Sequence, residues 1–517
     1  MSETNEVNEN MPKYPEPYWT DSVDVKSFPK LKEDIKVDIA IVGGGITGIT
    51  TAYLLVKAGM NVALVDADNI LNGTTGHTTA KVTSQHDIIY NELVHHFGQE
   101  KAKLYYQATN DSYRFIKDTV NEFDIDCDFT EEDAYIYTNS DKYVIDLMNE
   151  YRTYEQLGID GAYLENIPLP IDIKAAIVMK NQAQFHPLKY LEHLVHYIVD
   201  HGGAIYENTT AVDIEDDLYP KVVTRDGYKI KCDKVISCSH FPFYDKQSFY
   251  FSRMYADRSY VLAATVKADY PGGMYLSAEQ PTRSLRSTPY NGENLILIGG
   301  EGHKAGQGKP MINHYQALEA FGEDLFGIKE IPYRWSTQDL TTLDKVPYIG
   351  QLTSKTENIF VATGYRKWGM TNGTAAALVL RDLVTQRTSP YKDLYSPSRF
   401  YSDPSLKYFL NENADVAKHL IQGKLEFALD LRKPEELSED EGSAVKVNGK
   451  RAGAYRDTDG QLHIVDTTCT HMYCEVEWNS GDRTWDCPCH GSRYSIEGEV
   501  IEGPAKKPLQ KIEKTAE

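Results

Sequence analysis

The sequence predicts an α/β chain that begins with a dinucleotide-binding unit of the Rossmann type and ends in a small, separate all-β unit. Three observations carry this prediction: a glycine-rich turn at 43–48, a cysteine and histidine cluster at 469–490, and an acidic run at 435–442 between them. At roughly 100–200 residues per domain, a chain of 517 residues holds about three folding units.

Composition and charge exclude several classes of protein. The hydrophobic fraction of 41% and the charged fraction of 25% are those of a globular chain. No apolar run approaches the roughly 18 residues that would predict a transmembrane segment. The N-terminus lacks the basic start and apolar stretch of a secretory signal, so we expect a cytoplasmic protein. A net charge of −22 argues against nucleic acid as the main partner.

The first elements follow a polar N-terminal arm, residues 1–35, which we expect to be extended. Residues 37–42 form an apolar run that is typical of a buried parallel strand. Helical spacing covers 46–58, and Gly59 is suited to the end of that helix. Residues 62–65 predict a second strand, so the segment has a strand–turn–helix–strand order.

The turn between the first strand and the helix matches the pattern G-x-G-x-x-G. Gly43 permits the tight turn, Gly45 lets a phosphate approach the backbone, and Gly48 lets the helix pack on the strand. Asp66 ends the second strand, where its carboxylate accepts hydrogen bonds from ribose hydroxyls. The alternative is a glycine-rich loop that binds nothing. The residues predicted to bind the dinucleotide here are Gly43, Gly44, Gly45, Ile46, Thr47, Gly48 and Asp66.

Later segments resemble the superfamily of D-amino-acid oxidase, glycine oxidase and sarcosine oxidase. The resemblance covers about 15–385 and rests on the small-residue loop 71–81 and on the segments 183–187, 209–214, 235–239, 346–350, 359–364 and 368–373. It implies FAD rather than NAD, and a mixed-sheet substrate domain interleaved with the FAD domain. The further FAD-binding residues that it implies are Thr74, Thr75, His77, Thr79, Val212, Gly364, Gly369, Met370 and Thr371.

Between these segments, residues 289–294 predict a hairpin with its turn at Asn291-Gly292. Residues 406–410 and 416–425 are expected to be helices that dock on the main body. After the acidic run, short strands such as 444–447 predict a last unit of about 80 residues. A bound metal would add stability to a unit of that size, whose hydrophobic core is small.

Four residues in this last unit have metal-ligand spacing. Cys469-Thr470-His471 and Cys487-Pro488-Cys489-His490 each supply one thiolate and one imidazole. Zinc is one interpretation, although zinc fingers usually pair their cysteines first and their histidines later. The split is also that of a 2Fe–2S cluster in which two cysteines hold one iron and two histidines the other. The predicted metal ligands are Cys469, His471, Cys487 and His490.

The two loops resemble those of Rieske proteins, including the Rieske subunits of cytochrome bc complexes, over about 433–517. The resemblance implies a disulfide between Cys474 and Cys489, and hydroxyl donors to sulfur at Ser492 and Tyr494. Gly503-Pro504-Ala505 resembles the proline-containing loop of that family. The sequence departs from the family at Met472-Tyr473, where a smaller residue is common at the second position, which affects the surface around the cluster.

Together the two resemblances imply a fold class: an α/β Rossmann-type FAD domain with an interleaved mixed-sheet substrate domain, followed by a small all-β Rieske domain. We divide the chain into an arm (1–35), the FAD-dependent oxidoreductase domain (36–390), a helical connector (391–432) and the Rieske domain (433–517).

The expected function is oxidation of a C–N bond in an amine or amino acid by FAD, with electrons leaving through the cluster to an external acceptor. Three alternatives stay open: an electron-transfer protein with no organic substrate, an oxidase that uses oxygen directly, and an enzyme that modifies RNA, which the charge disfavours. Catalysis of this kind depends mainly on orientation of the substrate. The candidate orienting residues are Arg286, His303 and Lys367, with Arg283, Lys304, Tyr365 and Arg366 beside them.

His77 raises a separate question. Some sarcosine- and dimethylglycine-oxidising relatives attach flavin through a histidine in this loop. We expect His77 to pack or hydrogen-bond near a noncovalent flavin.

Overall fold

The structure is a computed structural model that describes residues 11–245, 248–308, 310–399, 404–405, 408–409, 412–416, 418–419 and 431–513. Its helices are α1 (Tyr18–Asp21), α2 (Ile46–Lys57), α3 (Tyr90–Phe123), α4 (Asp141–Leu157), α5 (Pro187–Asp200), α6 (Ile312–Phe326), α7 (Gly369–Val384) and α8 (Lys392–Tyr395). None of the helices within these ranges is both long and apolar enough to cross a membrane. The two helices predicted at 406–410 and 416–425 lie largely outside the described residues.

The strands of the first part of the chain are β1 (Ile35–Lys36), β2 (Ile39–Val42), β3 (Val62–Val65), β4 (Lys81–Val82), β5 (Thr130–Thr138), β6 (Gly161–Leu164), β7 (Ala175–Gln184), β8 (Ala204–Tyr206), β9 (Ala211–Glu215), β10 (Lys221–Thr224), β11 (Lys229–Lys231), β12 (Lys234–Ser237), β13 (Met254–Val266), β14 (Met274–Ser277), β15 (Arg283–Tyr290), β16 (Glu293–Lys304), β17 (Ile328–Thr342), β18 (Tyr348–Gln351) and β19 (Ile359–Thr363). Those of the last part are β20 (Glu441–Val447), β21 (Lys450–Arg456), β22 (Leu462–Val465), β23 (Glu477–Asn479), β24 (Thr484–Asp486), β25 (Arg493–Tyr494) and β26 (Val500–Glu502).

A six-stranded sheet in the order β18-β19-β12-β2-β3-β8 forms the dinucleotide-binding core. Its five strands from β19 to β8 are parallel, and β18 adds an antiparallel edge. Every residue of β2 and β3 is buried, as expected for strands covered on both faces. Within this sheet, β3 lies on one side of β2 and β12 lies on the other side of β2, so the strand order reverses at β2. This switch point places a ligand crevice at the carboxyl end of β2.

The second large sheet has the order β17-β13-β16-β15-β14-β5-β7-β4, with β6 beside β7. Its strands come from segments on both sides of the nucleotide-binding strands in sequence, which confirms the interleaved substrate domain. The predicted hairpin joins β15 to β16, and Asn291 (φ +49°) and Gly292 (φ +85°) both lie in the left-handed region that its tight turn requires. A smaller sheet, β1-β11-β10-β9, completes this part.

The described part of the N-terminal arm is packed on the body of the protein. Trp19 is fully buried, and its indole N–H donates to the Thr78 carbonyl in the predicted flavin loop. Arg334 of β17 donates to the carbonyls of Pro12 and Lys13. Arg483 of the last unit also donates to the Lys13 carbonyl, so the arm contacts both halves of the chain.

The last unit consists of two small antiparallel sheets, β20-β21-β22 and β23-β24-β25-β26. Trp485 fills the space between them, because a Cβ on Gly453 would lie 2.6 Å from its ring. The unit therefore has a small core of its own, as its length predicts.

Candidate functional site

The turn between β2 and α2 leaves room only for glycine at the three fingerprint positions. Gly43 has φ +110°, and a Cβ there would lie 2.6 Å from the Cys238 backbone. A Cβ on Gly48 would lie 1.8 Å from the Gly43 carbonyl oxygen, and one on Gly45 would lie 2.9 Å from the Thr75 hydroxyl. The backbone N–H groups at the start of α2 therefore form a cradle of the shape that a pyrophosphate needs.

Asp66 and Thr75 bind the same turn from the outside. The Asp66 carboxylate accepts hydrogen bonds from Gly44 N–H at 2.6 Å and Asp68 N–H at 2.9 Å. The Thr75 hydroxyl accepts from Ile46 N–H at 3.0 Å. Burial raises the pKa of Asp66 to about 6, so the carboxylate is ionised above that pH and has oxygen lone pairs left for ribose hydroxyls.

The N-terminus of α7, where the late glycine-rich segment begins the predicted helix, lies beside the N-terminus of α2: a Cβ on Gly373 would lie 2.8 Å from the Thr47 hydroxyl. Thr47 donates from its hydroxyl to the Tyr365 hydroxyl at 3.1 Å. Gly364, with φ +81°, directly follows β19, and a Cβ added to Gly369 would meet open space. Thr371 is held by the Thr83 carbonyl, and Met370 is buried. These residues stay predicted contacts of the flavin.

The loop 71–81 lies against β17. Trp335 donates from its indole N–H to the His77 carbonyl at 2.8 Å. His77 Nδ1 lies 2.9 Å from the carbonyl of Gly73 in its own loop. Thr74 lies beside the Gln338 carbonyl at 3.5 Å. The strand that carries Trp335 therefore borders the predicted flavin loop.

We expect acid precipitation of the protein to leave the yellow flavin in the supernatant, because His77 Nδ1 is already engaged by the Gly73 carbonyl. Absorbance of pellet and supernatant measures this directly. Yellow colour that stays with the pellet, and that disappears in His77→Ala, would contradict the prediction.

The three candidate orienting residues have different surroundings. Arg286 is fully buried, and its Nη1 donates to the carbonyls of Thr79, Ala80 and Phe185, so it holds the end of the flavin loop in place. His303 is hydrogen-bonded to the Tyr260 hydroxyl at 2.9 Å, on the side of the sheet that α6 covers.

Lys367, the third candidate, is exposed. The Lys367 ammonium nitrogen lies against Gly302 of β16. It is 2.6 Å from the position that a Cβ on this glycine would take. The catalytic role of all three residues stays a prediction.

Two carboxylates on the large sheet lie outside the set of residues that the sequence predicts for the site. Asp257 of β13 and Asp339 of β17 are directly opposite each other in the register of these strands. The available signal was a run of three polar residues, Asp257-Arg258-Ser259, in the otherwise mainly apolar strand β13. The pairing with Asp339 depends on the strand register.

The four predicted metal ligands converge at the tip of the last unit. The Cys487 thiol donates to Cys469, and the Tyr494 hydroxyl lies 3.2 Å from Cys469 Sγ. The rings of His471 and His490 are 5.0 Å apart between centroids. Nδ1 of both histidines is buried and has no hydrogen-bond partner among the described residues. Two adjacent sulfurs and two free imidazole nitrogens fit a 2Fe–2S cluster with two cysteine and two histidine ligands.

The protonation states at this tip suit metal binding. The hydrogen bond from Cys487, together with those from Tyr494 and Ser492, lowers the pKa of Cys469. Burial lowers the pKa of His471 to about 4 and that of His490 to about 3, so both imidazoles are neutral at pH 7. Thiolate and neutral imidazole are the forms that bind metal.

A disulfide joins the two ligand loops. The sulfurs of Cys474 and Cys489 are 2.05 Å apart. The three sulfurs of Cys474, Cys487 and Cys489 lie within 4.8 Å of one another, but two of them are bonded to each other and only Cys487 can be a thiolate ligand.

We expect alkylation of the native, cluster-loaded protein to leave Cys474 and Cys489 unmodified, because the disulfide removes both thiols. Mass spectrometry after native and reducing alkylation measures the difference. The buried Cys127, which is a free thiol, is the matched control and should react only after unfolding. Alkylation of both cysteines in the folded protein would contradict the bridge.

Charged groups hold the last unit against β13. Arg258 is fully buried, and its guanidinium lies 3.9 Å from Asp482, 3.8 Å from Asp486 and 3.8 Å from Glu502. Arg493 forms ion pairs with the same three carboxylates from within the last unit.

The ligand loops themselves contact the first half of the chain. Gln338 donates from its amide to the Gly491 carbonyl at 2.9 Å, and Gln307 donates to the Pro488 carbonyl at 3.1 Å. The Phe251 ring lies 5.4 Å from the His471 ring and 5.5 Å from the His490 ring. At the rim, Lys506 reaches the carbonyl of Val212, a predicted FAD contact on β9, at 3.4 Å. The histidine edge of the cluster site therefore faces the FAD-binding half.

Two family models match the chain in agreement with this geometry. Residues 38–383 match the family of FAD-dependent oxidoreductases known as DAO, and residues 428–513 match the Rieske [2Fe-2S] domain.

The chain is similar to three proteins of known sequence or structure. It is 54% identical over 503 residues to a protein of Bacillus subtilis (strain 168) that bears the name Rieske 2Fe-2S iron-sulfur protein YhfW, covering 96% of this chain and 98% of that protein. It is 23% identical to gamma-glutamylputrescine oxidoreductase of Escherichia coli (strain K12), covering 69% of this chain and 85% of the enzyme. The structure of glycine oxidase from Geobacillus kaustophilus superposes with a TM-score of 0.60 at 18% identity, covering 71% of this chain and 99% of that one.

The fold, the glycine cradle and the Cys/His loops agree with these matches. FAD and a Rieske-type 2Fe–2S cluster are the cofactors of the two matched families. The chain belongs to the DAO family of FAD-dependent oxidoreductases and carries a C-terminal Rieske [2Fe-2S] domain.

Proposed function

We propose that this protein oxidises the C–N bond of a small amine or amino acid with FAD and delivers the electrons through its own Rieske cluster to an external acceptor. The observation that carries the proposal is the contact of both ligand loops with the FAD-binding half, through Phe251, Gln307 and Gln338. A cluster held there needs no diffusing partner to receive electrons from the flavin.

The two cofactors supply complementary chemistry: a flavin accepts a hydride equivalent, and a Rieske cluster carries one electron at a time. Oxidation removes a hydride from carbon and a proton from nitrogen, which leaves an imine. Water then hydrolyses the imine to a carbonyl compound and ammonia or a smaller amine. The two electrons leave the chain singly, to two equivalents of a one-electron acceptor.

Arg366 is the residue best suited to bind a substrate carboxylate. It follows Gly364 and Tyr365 in the turn before α7, and its backbone N–H donates to the Leu340 carbonyl at 3.0 Å. One guanidinium nitrogen lies 3.8 Å from Asp87. The other, Nη1, is buried and has no hydrogen-bond partner among the described residues. A buried donor without an acceptor is costly, so this nitrogen is available to a ligand.

The decisive experiment mixes oxidised holoprotein with amines and amino acids in the absence of oxygen. We expect one class to bleach the flavin and to produce the electron paramagnetic resonance signal of a reduced Rieske cluster. If only a reduced carrier protein bleaches the flavin, the chain is an electron-transfer protein. If oxygen is reduced to hydrogen peroxide while the cluster stays oxidised, the chain is an oxidase.

We expect Arg258→Met to destabilise the docked arrangement, because among the described residues it leaves Asp482, Asp486 and Glu502 with Arg493 as their one remaining ion-pair partner within 4.0 Å. Removing one partner of a buried charge network costs about 3–5 kcal/mol. Urea denaturation measures this loss, and stopped-flow spectroscopy should show slower reduction of the cluster after reduction of the flavin. Arg432→Met, which removes an ion pair with Glu441 at the surface, is the control and should cost about 0–1 kcal/mol. Equal effects of the two changes would contradict the role of Arg258.

A further inference from the structure

We propose that Asp257 and Asp339 form a carboxyl pair that binds the ammonium group of the substrate and accepts its proton. The inference rests on the proposed oxidation of an amine and adds to it the residues that recognise the nitrogen. It also assigns a class of substrate: a protonated amine whose charged nitrogen enters a buried site.

The register of β13 and β17 divides their side chains between two environments. Arg258, Gln338 and the other residues at even positions meet the Rieske domain or α6. Side chains alternate along a strand, so Asp257 and Asp339, which are register partners, project from the opposite face.

That opposite face borders both predicted flavin loops. Trp335, at an odd position of β17, donates to the His77 carbonyl of the loop 71–81. Thr341, also at an odd position, forms a β-bridge with Tyr365 in the turn before α7. Asp339 lies between these two contacts on the same strand, so the carboxyl pair faces the region between the loops.

Neither carboxyl group is paired among the described residues, and Asp339 is buried while Asp257 is half-buried. Asp339 is 6% exposed. Within the part of the chain that the structure describes, no hydrogen bond and no ion pair within 4.0 Å reaches either carboxylate. Thr337, the next residue on this face of β17, has a buried hydroxyl that also finds no partner among the described residues. Because no described donor of the protein occupies these adjacent acceptors, they are open to a ligand that donates hydrogen bonds.

Burial and mutual repulsion favour a pair that holds one proton, whereas the neighbouring cations oppose it. Burial raises the pKa of Asp257 to about 6 and that of Asp339 to about 7, and each value is lowered in part by Lys367. The charged groups that face the pair are Lys304, Arg366, Lys367 and Glu412 around Asp257, and Arg258, Lys367 and Glu502 around Asp339. Two neighbouring carboxyls of this kind titrate as a unit, so the values belong to the pair.

This arrangement suits an ammonium ion. Such an ion has three N–H donors and no acceptor, whereas ionised carboxylates only accept. One carboxylate holds the nitrogen by charge. The other takes a proton from it: the N–H bond breaks, an O–H bond forms, and no electrons are exchanged. The nitrogen is left as a neutral amine, whose lone pair can assist loss of hydride from the adjacent carbon.

The test titrates oxidised holoprotein with n-butylammonium chloride without oxygen and follows the flavin difference spectrum. We expect a saturable change in the wild-type protein. Asp339→Asn and Asp257→Asn should each weaken the apparent Kd about 30-fold or more, as expected when one member of a buried charge pair is removed. Asp269→Asn removes the same charge at an exposed position and should change the Kd less than about twofold. The neutral alcohol 1-butanol should give no saturable change.

A second measurement uses only the wild-type protein, so it can be made even if the variants lose FAD. The ammonium competes with the shared proton, and the affinity for n-butylammonium should therefore rise as pH increases from about 5.5 to about 8. An affinity that is constant over this range, an unchanged Kd in both variants, or no saturable response in the wild type would overturn the proposal. If amines bleach the flavin while the Kd for n-butylammonium is the same in both variants as in the wild type, the proposed function is supported and the role of the carboxyl pair is contradicted. If no amine bleaches the flavin, the proposed function fails, and the difference spectrum still reports ammonium binding.

Discussion

His490→Ala is expected to remove the 2Fe–2S cluster and to leave FAD bound. His490 Nδ1 is one of two buried imidazole nitrogens at the cluster site that have no partner among the described residues. Without it one iron has an incomplete ligand set, and the protein loses the energy of that bond. The FAD cradle at Gly43–Gly48 lies in the other half of the chain, with its own sheet. Iron and acid-labile sulfide should fall from about two of each per chain to near zero, while the ratio of flavin to protein stays near one.

The matched control is His463→Ala. His463 lies in the same domain and is held by Asp457 and Glu497, away from the ligand loops. We expect this variant to keep its iron and the electron paramagnetic resonance signal of the reduced cluster. Full iron content in His490→Ala would contradict the ligand assignment. Zinc in place of iron in the wild-type protein would contradict the kind of centre.

Gly48→Ala is expected to abolish FAD binding. Its Cβ would lie 1.8 Å from the Gly43 carbonyl oxygen, which is rigid backbone and not the flexible end of a side chain. Helix α2 would have to move away from β2, and the N–H groups that cradle the pyrophosphate would move with it. We expect the flavin content of the purified protein to fall more than about tenfold, while the iron content per folded chain is retained. Absorbance and metal analysis of the same sample measure both.

Gly59→Ala separates damage to the cradle from weakening of the helix. Gly59 follows the other end of α2, has φ +81°, and an added Cβ there meets nothing within 4 Å. The substitution strains the backbone and should cost about 1 kcal/mol of stability without loss of FAD. Loss of flavin in both variants would indicate that helix stability, and not the shape of the cradle, decides FAD binding.

The contrast between Gly48 and Asp339 shows what can be predicted from a sequence. Gly43, Gly45 and Gly48 stand within one turn, and their spacing along the chain already describes the local geometry that the structure has. The same holds for the Asn291-Gly292 hairpin, whose turn chemistry is contained in two residues. Asp339 is an isolated acidic residue in the sequence, and its proposed role depends on a partner on another strand that is far away along the chain.

Arg286 illustrates a second kind of difference. The sequence places it beside a predicted hairpin near the flavin, which made it a candidate to orient the substrate. In the fold its Nη1 donates to three backbone carbonyls from two other segments. Similarly, helix α3, which was not predicted, extends from Tyr90 to Phe123 across a non-helical Gly98. The packing of distant segments decides both features.

The sequence by itself determined the family resemblance, the three glycines of the predicted FAD cradle, and which Cys and His residues are the predicted cluster ligands. Each depends on residues close together in the chain, where covalent geometry limits the possible arrangements. Only the tertiary structure decided that the Rieske domain docks through Arg258, that its histidine edge faces Phe251, and that Asp257 meets Asp339. These contacts join segments that are far apart in the chain, and they form because burial of apolar surface and strand register bring those segments together.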